Sequence, residues 1–115
     1  MTNEPQIITK TYDFLMYLIP QTSKFPRSQR YLLGERLETT ACDALEILLE
    51  ACYVQNKLAL LQQANIKLEK IRYFNRLCKD LKLTNLHKYE VISKMVNDIG
   101  VQLGGWIKQQ KRCQS

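Results

Sequence analysis

The stretch IGVQLGGWIKQQ, Ile99 to Gln110, decides the fold because it admits two incompatible readings. Gly100, Gly104 and Gly105 fall within six residues, and the only tryptophan, Trp106, follows at once. A loop that cradles phosphate needs a strand before it and glycines at the opening of a helix, where free N–H groups point at the anion. Here an apolar stripe of Tyr89, Ile92, Val96, Ile99, Leu103 and Trp106 runs straight through the glycines at spacings of three and four. The glycines therefore lie well inside a helix, and the loop reading fails. Each helical glycine costs about 1 kcal/mol relative to alanine, so the three call for a compensating close contact. With Ser93 and Asn97 they form a narrow strip that another backbone could approach. Gln102, Lys108 and Gln109 beside it are too polar for a membrane span, so the expected neighbour is a helix in water. Trp106 is expected to be a core or interface anchor rather than a base-stacking platform.

The rest of the chain divides into three more helical stretches. The first is expected over about Pro5 to Ile19, with Ile8, Tyr12, Leu15 and Leu18/Ile19 on one face. Its opening IITKTY is β-branched, but no partner strand follows anywhere downstream, which favours helix. Pro20 disfavours helical geometry at the residue before it and sets the expected end. Pro26 then stands at a first helical position, and a long helix is expected over about Pro26 to Tyr53. Its stripe is Gly34, Leu37, Ala41, Ala44/Leu45, Leu48 and Cys52, the seam of a coiled-coil-like bundle. The third spans about Gln55 to Leu81, with an arc of Leu61, Ala64, Leu68, Ile71, Phe74, Cys78 and Leu81. KLTNLH supplies the next break, with Thr84 or Asn85 as N-cap, before the last helix over about Leu86 to Gln110. The expectation is an all-α, antiparallel up-down four-helix bundle in one domain spanning residues 1–115.

Composition agrees with that class: 45% apolar and 24% charged residues describe an ordinary folded chain of 115 residues. The start MTNEPQ lacks the basic and apolar regions of a secretory signal, and the longest apolar run, Phe14 to Ile19, cannot cross a bilayer. Cys42, Cys52, Cys78 and Cys113 show no metal-ligand spacing and are expected as reduced thiols in a cytoplasm. No metal or cofactor is implied. His87 stands alone at a helix start, and Glu46 and Glu50 lack the histidine companion of a di-metal bundle site. No nucleophile is paired with a base. Catalysis is therefore not expected.

The net charge of +6 is unevenly placed. Residues 57–82 hold seven Lys and Arg against two Asp and Glu, a net +5, and residues 83–115 hold five against two, a net +3. Residues 26–56 come to −2 and residues 1–25 balance. On the third helix Arg72, Arg76 and Lys79 share a face opposite the apolar arc, with Glu69 alone expected to offset them. Guanidinium groups suit bidentate contact with phosphate or carboxylate. A second group, Arg27 and Arg30 with Lys24, stands where positive charge opposes the helix dipole. A third, Lys108, Lys111 and Arg112, ends the last helix, where the dipole favours it. Such a balance points to an acidic partner: nucleic acid, an anionic membrane or an acidic protein surface.

Three segments, FPRSQRYLLGERL (Phe25 to Leu37), KIRYFNRL (Lys70 to Leu77) and IGVQLGGWI (Ile99 to Ile107), together resemble the Avd family, accessory proteins of bacterial diversity-generating retroelements. A more distant similarity is to the four-helix proteins of 23S rRNA intervening sequences, the alternative being such a protein or another homo-oligomeric scaffold with no reverse transcriptase partner. The resemblance implies a four-helix bundle assembled as a homopentameric barrel. It also implies a non-enzymatic role, binding reverse transcriptase and nucleic acid, RNA or DNA, in support of mutagenic cDNA synthesis. Arg72 and Arg76 match the family's paired arginines on the third helix. Pro26, Arg27 and Arg30 match its arginine-bearing second-helix start, and Gly104, Gly105 and Trp106 its C-terminal segment. One departure from the pattern is that the sequence ends soon after Arg112, with a short, only modestly basic tail. A pentamer would carry about +30, enough to attract a polyanion without a specific pocket.

Overall fold

A computed structural model describes residues 5–113. Helix α1 spans Gln6–Thr22. Helix α2 covers residues 27–53, as a first turn Arg27–Gln29, a wide π-helical turn Arg30–Gly34 and a regular helix Glu35–Tyr53. Helix α3 is Leu58–Asp80 and helix α4 is Leu86–Cys113. Among the described residues there is no strand. Each helix packs on two others, α1 on α2 and α4, and α3 on α2 and α4, so the four stand at the corners of a square. Short links at 23–26, 54–57 and 81–85 force neighbouring helices antiparallel. Cross-helix contacts keep that register: Thr22 meets Glu38, Asp43 meets Lys67, and Asn75 meets Ser93.

One hydrophobic core runs the length of the bundle, through Phe14 and Leu18, Leu37 and Leu48, Leu61 and Leu68, and Ile99 and Leu103, all at most 1% exposed. Alanines 41, 44, 51 and 64 are equally buried, and these small residues let the α2 and α3 backbones approach closely. Trp106 is half-buried and packs against the core from the end of α4. No helix among the described residues is long and apolar enough to cross a membrane.

Helix boundaries differ from the sequence expectations for identifiable reasons. α1 does not stop at Ile19 but carries Pro20 into its last turn. There the proline forfeits one hydrogen bond, while the turn gains others. The Thr22 hydroxyl donates to Ile19 O at 3.1 Å and to Glu38 Oε2 at 2.6 Å, and Ser23 Oγ donates to Pro20 O at 2.7 Å. Thr22, fully buried, anchors the extra turn. The second link lies at Val54–Lys57, so α3 starts at Leu58 rather than Gln55. It needs neither glycine nor proline because Lys57 Nζ donates to Ala51 O and Val54 O, both at 2.6 Å. An ammonium there satisfies carbonyls left open at the end of α2 and complements its dipole. α4 continues past Gln110 to Cys113.

The α3–α4 turn is a Schellman motif. Leu83 N donates to Cys78 O at 2.9 Å and Lys82 N to Lys79 O at 3.0 Å, with Lys82 left-handed at φ 61°. Asn85 is the N-cap of α4, its Oδ1 accepting from Lys88 N at 2.8 Å. On α1 the exposed Tyr12 yields its expected core place to Thr11, whose hydroxyl donates to Ile7 O at 2.7 Å. Leu81, just past the end of α3, is exposed, and on α3 Asn75 takes a core position.

Candidate functional site

The lysine and arginine row of α3 is held by its own helix and by α4. Arg72 pairs with Glu69 three residues earlier and leans toward α4 over Gly100. A Cβ placed on Gly100 would meet Arg72 Nη2 at 2.8 Å, the far end of a flexible side chain that can move aside. The nearest neighbour of this glycine is therefore a guanidinium rather than a helix backbone. Arg76 Nε stands 3.9 Å from Asp80 Oδ2 with its side chain 65% exposed. Lys79 Nζ stands 3.9 Å from Asp80 Oδ1 and 4.5 Å from the centre of the Tyr89 ring, a cation–π contact. Asp80 thus joins Glu69 in offsetting this row, a partner that the sequence pattern did not single out. These ion pairs are exposed and weak, so a stronger anion can displace them.

Between α3 and α4 the row borders a shallow groove of about 200 Å³ lined by Glu69, Arg72, Tyr73, Arg76 and Tyr89. Asn75 Nδ2, beneath it, donates to Tyr89 O and Ser93 Oγ, both at 3.2 Å, and fixes the two helices in register. The aromatic members were not among the expected site residues. Tyr73 sits inside the KIRYFNRL segment, so its position was legible, but Tyr89 was assigned to the core stripe and its half-exposure was not.

Arg27 and Arg30 stand at the same pole of the bundle, since the start of α2 and the end of α3 lie together in an antiparallel pair. Arg27 is exposed. Arg30 Nη1 donates to Ser23 O at 3.3 Å, just beyond the end of α1. Positive charge is favourable at that carbonyl end, which offsets its unfavourable place on its own helix. Lys108, Lys111 and Arg112 are exposed at the opposite pole. The fold therefore brings two basic groups to one end and leaves the third at the other, in a molecule 48 Å long.

Gly104 and Gly105 are exposed, and among the described residues, apart from their chain neighbours and the backbone of their own helix turns, nothing lies within 4 Å of a Cβ built on either. The narrow strip thus serves two ends: Gly100 receives Arg72, whereas Gly104 and Gly105 present open backbone. The cysteines are free, and burial pushes the Cys78 thiol from 9.0 up to about 11. Cys42 is also raised, by burial first and then by Glu46, Asp43 and Glu38. Raised thiols are poor nucleophiles at neutral pH.

Fold and surface together define a class: a small four-helix bundle that carries a cationic and aromatic groove across two of its helices. Residues 6–110 match the bAvd-like family, and the chain belongs to it. Membership suggests a bacterial Avd accessory protein. No curated protein matches the chain significantly.

Proposed function

We infer that the protein is the non-enzymatic accessory subunit of a diversity-generating retroelement. It acts in the cytoplasm, binding the element's reverse transcriptase and nucleic acid through the basic pole of the bundle. The observation that carries this reading is the row Arg72, Arg76 and Lys79 gathered with Tyr73 and Tyr89 along one groove, in a chain of the bAvd-like family. Arg27 and Arg30 extend the surface, and Lys108, Lys111 and Arg112 add a second one at the far pole. Assembly into a homopentamer would repeat both surfaces around a ring and multiply the field that attracts a polyanion.

The test is charge reversal. Arg72→Glu with Arg76→Glu should abolish co-purification of the reverse transcriptase and weaken nucleic-acid binding at least a hundredfold, while the circular dichroism spectrum and assembly size stay unchanged. Three cationic contacts to a single strand predict that log affinity falls against log salt with a slope of about −2. Binding that stays flat with salt, or that survives the double reversal, would sink this reading.

A further inference from the structure

The outer surface of α3 carries two rows side by side. One is cationic: Arg72, Arg76 and Lys79. The other is apolar and exposed: Tyr73 at 68%, Leu77 at 41% and Leu81 at 53%, with Ile66 at 55% further down the same face. Successive residues on a helix are turned by about 100°, so Tyr73 and Leu77 each stand one step around the axis from an arginine. The apolar row faces away from the buried face formed by Leu61, Ala64, Leu68, Ile71 and Cys78. Nothing among the described residues covers it, and large apolar side chains grouped on a surface mark a contact site.

Two kinds of polyanion answer a cationic row differently. A duplex presents phosphates outward and hides its base faces in the stack, so it would use Arg72, Arg76 and Lys79 and leave the apolar row in water. An unpaired strand presents phosphates along one edge and flat apolar bases along the other, which matches both rows together. Arg72 and Arg76 are one helical turn apart, about 6 Å along the axis, a stride comparable to that of an extended sugar-phosphate backbone. Tyr73 has an exposed ring on which any base can stack, and Leu77 continues the apolar surface. The Tyr89 ring is occupied from one side by Lys79, which holds that ammonium beside the groove.

We propose that α3 is a platform for unpaired nucleic acid, with bases against Tyr73 and Leu77 and phosphates against Arg72, Arg76 and Lys79. The proposal rests on the nucleic-acid binding inferred above and narrows it to the single strand.

The experiment measures fluorescence anisotropy of labelled oligothymidylate, oligouridylate and a DNA duplex of equal length. They are titrated with the full chain and with Tyr73→Ala, Tyr73→Phe and the double arginine reversal. Tyr73→Ala should weaken both single strands about tenfold and change duplex binding less than twofold. Tyr73→Phe, which keeps the ring, should restore single-strand affinity. A larger loss with oligouridylate than with oligothymidylate would place RNA rather than DNA on the platform. Equal losses for strand and duplex, or no loss for either, would overturn the platform. So would a change in assembly mass on Tyr73→Ala, since the row would then be a contact between copies. Preferential displacement of the oligonucleotides by an acidic helical peptide would overturn it in favour of a protein ligand. The two readings fail separately. Binding that is lost on arginine reversal but indifferent to Tyr73 sinks only the platform, whereas binding indifferent to the arginines sinks the broader function.

Discussion

Gly100 shows how a polar side chain, rather than a helix backbone, can lie beside a glycine on a helix face. The sequence placed this glycine on a strip awaiting a close helix, and its real neighbour is the tip of Arg72. Nothing in the spacing could distinguish the two, because either neighbour can lie beside a residue that lacks a Cβ. Asn75 was hidden for a related reason. It occupies a core register position, four residues after Ile71 and three before Cys78, but periodicity weighs apolar residues and passes over a buried amide. Cys78 is the converse case, correctly assigned to the core from its place on the arc. Its burial has a pH consequence with a definite sign. The folded state holds the thiol proton more tightly than the unfolded chain does. The associated stability is therefore complete below pH 9 and is lost as the pH rises toward about 11. The drop in melting temperature across that range should be smaller in Cys78→Val. At pH 8 a thiol reagent should label the exposed Cys113 readily and reach Cys78 only on unfolding.

At the scale of helices, number, order and faces were legible, and the ends were less so. The four stripes were strong because each repeats over several turns, and single exceptions such as Tyr12 and Leu81 did not disturb them. Ends depend on individual hydrogen bonds that no period reports. Lys57 closes α2 by folding back onto two carbonyls, and Thr22 carries α1 past a proline by reaching Glu38. The end of α3 uses a left-handed residue that is not glycine. Such a conformation costs a side-chain-bearing residue about 1 kcal/mol. Lys82→Gly should therefore stabilise the protein by about that amount, raising the urea midpoint without changing the slope. A destabilised variant would mean that the lysine side chain contributes something that the Schellman geometry does not require.

For the molecule as a whole, the glycine pair at 104–105 separates folding from association. A leucine at Gly104 has open space within the chain, so it should leave monomer stability intact apart from a gain in helix propensity. In the pentamer proposed above, the same leucine should lower the mass measured by light scattering. If assembly is unaffected, these glycines do not meet a neighbouring copy. Sequence could locate the charge on residues 57–82 but could not place its poles, because that requires knowing which helix ends meet. The antiparallel square supplies this, setting Arg27 and Arg30 at the pole of Arg76 and Lys79. The wide turn of α2, where Glu35 N donates to Arg30 O, makes that pole tolerant of the loss of one residue. A π-turn holds one residue more than an α-turn. Loss of one position within 30–34 would let the helix run regularly from Pro26 onward while Leu37, Ala41 and Leu48 kept their places in the core. Arg27 would then keep its bearing around the axis, because the wide turn already absorbs the extra residue without adding its step of about 100°. A single codon could thus be lost from the arginine end of the bundle without redirecting that end or disturbing the interior.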